Sequence, residues 1–251
     1  MGVGRESNCP GLCHSMFVKE FNPWRFTHVR WIMRNRAWSW YYLVRYVRFL
    51  KLFHFGPRDV TCTGFVFLGK GVELSVRKGY GRIVLGSWVH IGDHNRIRAH
   101  EGSLVIGSKT VMGRDNTINA YLDISIGSEC IFSDSIYVCD FDHRFSDSHV
   151  PIRAQGISKT PVRVGENVWV GTKVSILRGS VIGHGSVIGA NSVVRGTIAP
   201  MSVAVGVPAK VVKSRHDLDP AEWEVVRHAE SVRKKTQVAL DALKAAPALK
   251  A

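Results

Sequence analysis

The sequence predicts a parallel β-solenoid, in which short strands wind into a triangular prism. Two observations predict this fold: an aliphatic residue recurs every six positions, and every irregular step follows the third member of a group of three. Three six-residue strands make one triangular turn, with the recurring side chain pointing into the prism. A β-sandwich fits less well, because its strands alternate with period two and vary in spacing.

The repeat is clearest in the last third of the predicted prism, where six consecutive slots are aliphatic and four of them are followed by Gly. The same slot recurs toward the amino terminus, more faintly in the first group. In order, the predicted slots are Val60, Val66 and Val72; Leu85, Ile91 and Ile97; Ile106, Met112 and Ile118; Ile126, Phe132 and Val138; Val164, Val170 and Ile176; and Ile182, Ile188 and Val194.

The breaks in the repeat are as informative as the repeat itself. Between the first five groups the step lengthens to 13, 9, 8 and then 26 residues, always after a third slot. From Leu85 onward, most first and second slots are followed by Gly and no third slot is. We therefore predict a solenoid domain over 58–213, with every insertion leaving at one corner and the largest forming the loop 144–161.

The segment 1–57 is predicted to be a basic, aromatic-rich helical flank. Residues 1–58 hold ten Lys/Arg and two Asp/Glu, a net +8 of the chain's +14, and 24–55 contain no acid. At 100° per residue Arg30, Arg34, Arg45 and Arg48 form a stripe beside a broad aromatic face. Charge interrupts this segment too often for a membrane span, which leaves two alternatives: a helix lying on an anionic membrane surface, or one packed on the solenoid or a neighbouring subunit.

Composition and the chain ends bound the remaining possibilities. The five cysteines are scattered and no secretory signal precedes them, so we predict a cytoplasmic protein with free thiols, with peripheral association at the inner membrane face left open. In 214–251, the cap sequence of Asp219, Pro220 and Glu222 predicts a carboxy-terminal helix. No nucleic-acid-binding module is recognisable, despite the basic charge.

Chemistry is expected where the uniform wall is broken, at the excursion after Val138. It opens with Asp140, Asp142 and His143. An imidazole with carboxylates close enough to orient it suits general-base work on a hydroxyl. The alternative for any one of the eleven histidines is a solvated or packed side chain.

Four motifs together resemble a known family. The hexapeptide rows, the loop after DFDH, the stretch VGENVWVGTKVSILRGSVIG and the closing PMSVAVGVPAKVVK resemble the left-handed parallel β-helix acyltransferases, particularly galactoside and maltose O-acetyltransferases and relatives in lipopolysaccharide and polysaccharide biosynthesis. The resemblance covers about residues 60–213. It implies a left-handed coil, a homotrimer with sites between subunits, acetyl-CoA as co-substrate without a metal, and a sugar or glycolipid acceptor.

The resemblance also implies roles for individual residues. His143 matches the catalytic base, although Phe141 stands where related enzymes with a DHxH motif have a first His. Asp142 or Asp140 is the candidate to hold the imidazole tautomer, and Asn116 and Asn119 are candidates to reach the acceptor. The residues that match cofactor-binding positions are Trp169, also beside the acceptor, Thr172 and Ala190 along the pantetheine arm, and Arg195, Lys210 and Lys213 near the adenosine phosphates. Lys replaces the family's usual Arg at the last two positions, which keeps the charge but loses a bidentate fork.

Three alternatives remain open on the sequence. Cys139 could accept the acyl group as a nucleophile, although nothing indicates a lowered pKa. A zinc carbonic anhydrase on the same fold would need three converging histidines, and His90, His94 and His100 are the nearest set. A non-enzymatic, membrane-associated solenoid scaffold would use only the basic flank.

Overall fold

A computed structural model describes residues 39–217 together with residues 30, 33 and 34. Within residues 39–217, one α-helix, α1 (Trp40–Phe55), precedes 23 strands. The described chain ends in a short 3-10 helix, Arg215–Asp217. The helix expected after Asp219 and the amino-terminal end of the basic flank lie outside the described residues.

Three parallel sheets form the faces of the predicted prism, and successive strands pass from sheet A to sheet B to sheet C. Sheet A contains β1 (Val60–Cys62), β4 (Gly81–Leu85), β7 (Gly102–Ile106), β10 (Asp123–Ile126), β15 (Val162–Val164), β18 (Val181–Ile182) and β21 (Thr197–Ile198). Sheet B contains β2 (Val66–Leu68), β5 (Val89–Ile91), β8 (Val111–Met112), β11 (Ile131–Phe132), β16 (Trp169–Val170), β19 (Val187–Ile188), β22 (Ser202–Val205) and the antiparallel β23 (Lys210–Ser214). Sheet C contains β3 (Glu73–Val76), β6 (Arg96–Ala99), β9 (Thr117–Ala120), β12 (Tyr137–Cys139), β17 (Ser175–Ile176) and β20 (Val193–Val194).

The recurring aliphatic residues form the core, as predicted. From Leu85 onward every predicted slot is buried and aligned with the corresponding slot of the next coil. The first group is a correction: Leu85, Ile91 and Ile97 pair with Cys62, Leu68 and Leu74. These residues lie two positions after the predicted Val60, Val66 and Val72, which changes the first step from 13 to 11 residues.

The glycines after the slots are needed for close stacking of the coils. A Cβ on Gly92 would lie 2.2 Å from the carbonyl oxygen of Gly113 in the next coil. The left-handed backbone conformation at these corners instead falls three residues after the slot, where most residues are not Gly: Trp88, His94, Lys109, Asp115, Glu129, Ser135, Asn167, Lys173, Asn191 and Met201. Thus most of these corners turn without glycine at the strained position, and Gly71 and Gly185 are exceptions.

Helix α1 packs on the first coil of sheet B. Phe49 is fully buried, and its ring centroid lies 5.0 Å from that of Phe65. Arg48 donates a hydrogen bond to the Leu68 carbonyl at 3.3 Å, and Arg45 pairs with Asp93 at 3.9 Å. Two arginines of the predicted stripe therefore contact the solenoid, as the packing alternative expected. In the part of the chain described, no helix is long and apolar enough to cross a bilayer.

The large loop leaves the solenoid at the corner after sheet C. This is the corner at which the spacing of the aliphatic residues predicts every insertion. Its two ends form a short antiparallel neck of β13 (Phe141–His143) and β14 (Ile157–Lys159). Beyond the neck, the Gln155 side chain donates to the carbonyls of Asp147 and Val150 at 2.8 and 2.7 Å. The loop also holds a 3-10 helix, Ile152–Ala154, so it is folded over its length.

Candidate active site

His143 is the last residue of the outgoing strand of the neck. Its side chain is exposed and lines a groove of about 420 Å³, together with Asp142, Arg144 and Arg178. The rings of His143 and Phe141 form an edge-to-face pair, and 6.2 Å separates their centroids. Within residues 39–217, no hydrogen bond or ion pair joins the imidazole to another side chain. It is therefore accessible to an acceptor hydroxyl.

Asp142 and Asp140 engage other partners. The Asp142 carboxylate accepts a hydrogen bond from Nε of Arg178, a residue of the following coil. Asp140 is 0% exposed, and its two oxygens accept backbone N–H groups of Tyr121, Leu122 and Asp123 at 2.7 to 2.8 Å. The expected orienting role therefore needs correction for Asp140, because its carboxylate closes the turn of the preceding coil.

Cys139 lies on the strand before the neck and is 3% exposed. Burial raises the pKa of its thiol, and the negative charges of Asp142 and Asp140 contribute in the same direction. A raised pKa leaves little thiolate at neutral pH, so this environment disfavours a nucleophilic role.

The two candidate acceptor-binding asparagines occupy different environments. Asn116 is 1% exposed; its Oδ1 accepts the backbone N–H of Ile136 at 2.8 Å, and its own N–H donates to Oδ1 of Asn95 at 3.2 Å. An acceptor cannot reach this side chain, which corrects its predicted role. Asn119 lies on the outer side of sheet C, where its buried Oδ1 has no hydrogen-bond partner. It stays in the candidate set.

Trp169 and Lys213 belong to one column on the outer side of sheet B. The register aligns Trp169 with Val187, Val187 with Val203, and Val203 with Lys213. Trp169 is 51% exposed and lines an apolar groove of about 300 Å³ that also includes Ile131. The column thus begins with an exposed aromatic ring and ends at a cationic residue, about 14 Å away at the usual strand spacing.

Thr172, Ala190 and Lys210 lie near the corner between sheets B and C, whereas Arg195 lies where the chain leaves sheet C toward sheet A. Thr172 and Ala190 occupy equivalent corner positions in successive coils, and the Thr172 carbonyl accepts the N–H of Asn191 at 2.9 Å. Arg195 follows β20, and Lys210 follows Ala209, whose N–H donates to the Val193 carbonyl at 2.8 Å. The structure therefore brings Arg195 and Lys210 to the same end of the solenoid.

The base and this wall do not meet within one chain. His143 leaves the corner between sheets C and A, whereas Trp169, Thr172 and Ala190 lie on sheet B or near its corner with sheet C. Arg195 is the exception, because it follows the last strand of sheet C. The grooves at His143 and Trp169 share no lining residue. Sites between subunits, as the resemblance implies, stay an expectation.

The histidines of the zinc alternative are dispersed. His90 stacks on Phe67 at 4.1 Å on sheet B, His94 lies at a corner, and His100 stacks on Tyr121 at 4.6 Å beyond sheet C. Within the described ranges, no group of three or more His, Cys, Asp or Glu residues is arranged to hold a metal ion.

Sequence reasoning missed two features around the base. Arg178 follows the third slot of the next coil, and neither the repeat nor the loop motif identified it. A row of aromatic rings, His100, Tyr121 and Phe141, runs along this corner toward His143, with 4.5 Å between the ring centroids of Tyr121 and Phe141. The alignment of these corner residues could have been found by stacking the coils in register.

Comparison with known proteins gives consistent matches. Residues 161–196 match the bacterial transferase hexapeptide (six repeats) family. A Mycobacterium tuberculosis protein with the provisional designation acetyltransferase, Rv3034c, is 54% identical over 196 residues, which cover 78% of this chain and 64% of the relative. WbbJ of Escherichia coli K12, with the provisional designation lipopolysaccharide biosynthesis O-acetyl transferase, is 30% identical over 57% of this chain and 77% of its own.

The chain thus spans less than two thirds of the length of Rv3034c. Among solved structures, a galactoside acetyltransferase in complex with coenzyme A aligns with 68% of this chain and 79% of its own, at 22% identity and a TM-score of 0.45.

Proposed function

The chain belongs to the hexapeptide-repeat acyltransferases, and from this premise we propose that it transfers an acetyl group from acetyl-CoA to a hydroxyl of a sugar unit in a glycan or glycolipid. The observation that carries the proposal is the exposed imidazole of His143, at the one corner where a long loop interrupts the repeat. Relatives that act on sugars support the acceptor class, among them the galactoside O-acetyltransferase of Escherichia coli, 34% identical over 120 residues.

The proposed reaction is direct transfer within a ternary complex. His143 takes the proton of the acceptor hydroxyl as that oxygen attacks the thioester carbonyl carbon, the carbon–sulfur bond breaks, and the proton passes to the departing thiolate. No acyl-enzyme forms, in keeping with the burial of the Cys139 thiol. Of the two carboxylates, only Asp142 lines the groove, where Arg178 holds it.

The acetyl-CoA site is proposed along sheet B and its corner with sheet C. Trp169 would flank the thioester, Thr172 and Ala190 the pantetheine arm, and Arg195, Lys210 and Lys213 the phosphates. The apolar column ending at Lys213 suits a ligand with an apolar arm and an anionic end. Asn119 and Trp169 both remain candidate contacts to the acceptor.

Coenzyme A release from acetyl-CoA, measured with a panel of glycan acceptors, tests the proposal. Loss of a general base is expected to lower kcat of His143→Ala by about 100- to 10,000-fold. His149→Ala is the matched control, since His149 is an exposed histidine of the same loop. Equal acceptor-dependent rates for His143→Ala and wild type would end the assignment, and stoichiometric zinc in the purified protein would favour the anhydrase reading.

We also propose that α1 rests on an anionic membrane surface, which would bring the site to a membrane-bound acceptor. Its packed face contacts the solenoid, but Trp40, Leu43 and Val47 are exposed at helical spacing, with Lys51 one turn further on. An apolar strip followed by a cation suits the headgroup region.

Sedimentation with phosphatidylglycerol/phosphatidylcholine vesicles tests the membrane role. The triple variant Trp40→Ser/Leu43→Ser/Val47→Ser is expected to lose binding, whereas Tyr80→Ser, which removes an exposed ring of the solenoid, keeps it. Deletion of the helix is a poorer test, because it uncovers Phe65 and Phe67. Unchanged sedimentation of the triple variant would show that the strip does not bind membranes.

A further inference from the structure

The position of His143 depends on the short neck of the loop. Strands β13 and β14 have three residues each, and their register pairs Phe141 with Lys159, Asp142 with Ser158 and His143 with Ile157. An isolated two-stranded hairpin is at best marginally stable in water. Because no side chain of the described chain hydrogen-bonds to the imidazole, its place over the groove follows from the backbone of this neck. Something outside the hairpin must hold it.

Arg178 connects both strands of the neck to the following coil. Its Nε donates to the Asp142 carboxylate on the outgoing strand, and its Nη1 donates to Oγ1 of Thr160, just after the returning strand, at 3.2 Å. A planar guanidinium can hold two acceptors at a fixed separation, which an ammonium cannot. One side chain thus fixes the distance between the two strands.

Backbone hydrogen bonds beside Arg178 also fix the end of the neck at Thr160. Gly179 donates its N–H to the Thr160 carbonyl at 3.1 Å, and Thr160 donates its N–H to the Asp140 carbonyl at 2.9 Å. Asp140 is itself fixed by the three N–H groups of the preceding coil. The neck is therefore clamped between two coils, from below through Asp140 and from above through Arg178 and Gly179.

We propose that Arg178 is a positioning residue for His143: by bridging Asp142 and Thr160 it holds the neck in the geometry that places the imidazole over the groove. The inference rests on the proposed function, in which His143 is the base. It assigns the Asp142 carboxylate to this bridge, and it makes the following coil part of the catalytic geometry. The solenoid itself closes without the hairpin, so loss of the bridge should affect the site more than the fold.

The test compares Arg178→Gln, Arg178→Lys and Arg178→Ala in the full chain. Since a displacement of 1 Å at a reacting group can cost about 100-fold in rate, kcat of Arg178→Gln is expected to fall by about that factor. KM for acetyl-CoA should stay unchanged, because Arg178 is not a candidate cofactor residue and Trp169, Thr172 and Ala190 lie on sheet B or near its corner with sheet C. Arg178→Lys should be intermediate, and guanidinium ion should partly restore kcat of Arg178→Ala.

Arg98→Gln is the matched control. Arg98 makes a two-pronged pair with Glu73 at 3.0 Å on sheet C, in the first coils, and should keep wild-type kcat. A second readout is independent of turnover: amide hydrogen exchange at 141–143 and 157–159 should speed up in Arg178→Gln and stay unchanged in Arg98→Gln.

If the amide hydrogen exchange of the neck is unchanged in Arg178→Gln, the inference is overturned, whatever the activity of the variant. A wild-type kcat in Arg178→Gln when His143→Ala is inactive also overturns it. A wild-type protein that acetylates no acceptor, with neck exchange altered as expected, would instead count against the proposed function alone.

Discussion

His143 and Trp169 lie on different sides of the solenoid: His143 at the corner that follows sheet C, Trp169 on the outer side of sheet B. The proposed reaction needs both, so we predict that each site combines the base of one subunit with the wall of another. Mixed oligomers of His143→Ala and Trp169→Ala should therefore regain activity. In a cyclic trimer that contains both variants, about one third of the interfaces carry both native groups.

The measurement is the rate of coenzyme A release after co-expression of the two variants with different tags and tandem purification. Each variant alone serves as the baseline. Mixed oligomers no more active than the baselines would place both residues in the site of one chain, or remove one of them from the site.

Asp140 is predicted to matter for stability more than for chemistry. Asp140→Asn places an amide where three backbone N–H groups point, so at least one buried donor loses its acceptor. We expect a loss of about 1–3 kcal/mol in the free energy of unfolding, measured by urea titration. Asp134→Asn is the control, because Asp134 accepts one N–H, from Arg114, at an exposed corner. Equal effects of the two substitutions would contradict this assignment.

The thiol of Cys139 should be slow to react. Burial raises its pKa, so at pH 8 its alkylation by iodoacetamide is expected to lag behind that of a free thiol in the unfolded chain. Cys139→Ala should keep acetyl transfer, measured as coenzyme A release with the best acceptor. An acetylated Cys139 peptide trapped during turnover would support the nucleophilic alternative.

Stability is expected to fall in mild acid because of His90. Burial, and to a lesser degree the charge of Arg45, lowers the pKa of this imidazole from its ordinary value of 6.5. As the pH falls below about 6.5, the unfolded chain takes up a proton that the folded chain resists, so the free energy of unfolding decreases; above that pH His90 contributes no pH dependence. His90→Gln should flatten this slope in urea titrations between about pH 7.5 and 5.5.

His184→Gln is the control for this pH dependence of the free energy of unfolding, since His184 is exposed at a corner of a later coil. The prediction would be wrong if His90→Gln and His184→Gln changed the slope equally.

The solenoid from Leu85 onward, the three sheets and the exit of the loop were all predictable, because period six and the position of insertions report directly on a triangular coil. The first coil was misplaced by two residues: Val60, Val66 and Val72 are also apolar, and no preceding strand sets their register. The burial and hydrogen-bond partners of Asn116 and Asp140 could not be predicted either. A polar residue at a corner can hydrogen-bond to an adjacent coil or point to solvent. Only the aligned coils distinguish the two.

The closed neck at Asp140 and Thr160 has an evolutionary consequence. The antiparallel pairing of 141–143 with 157–159 and the hydrogen bond from the Thr160 N–H to the Asp140 carbonyl close the loop at the wall, and residues 144–156 lie beyond this closure. We therefore expect that residues 144–156 can change in length or sequence while the coils on either side keep their register.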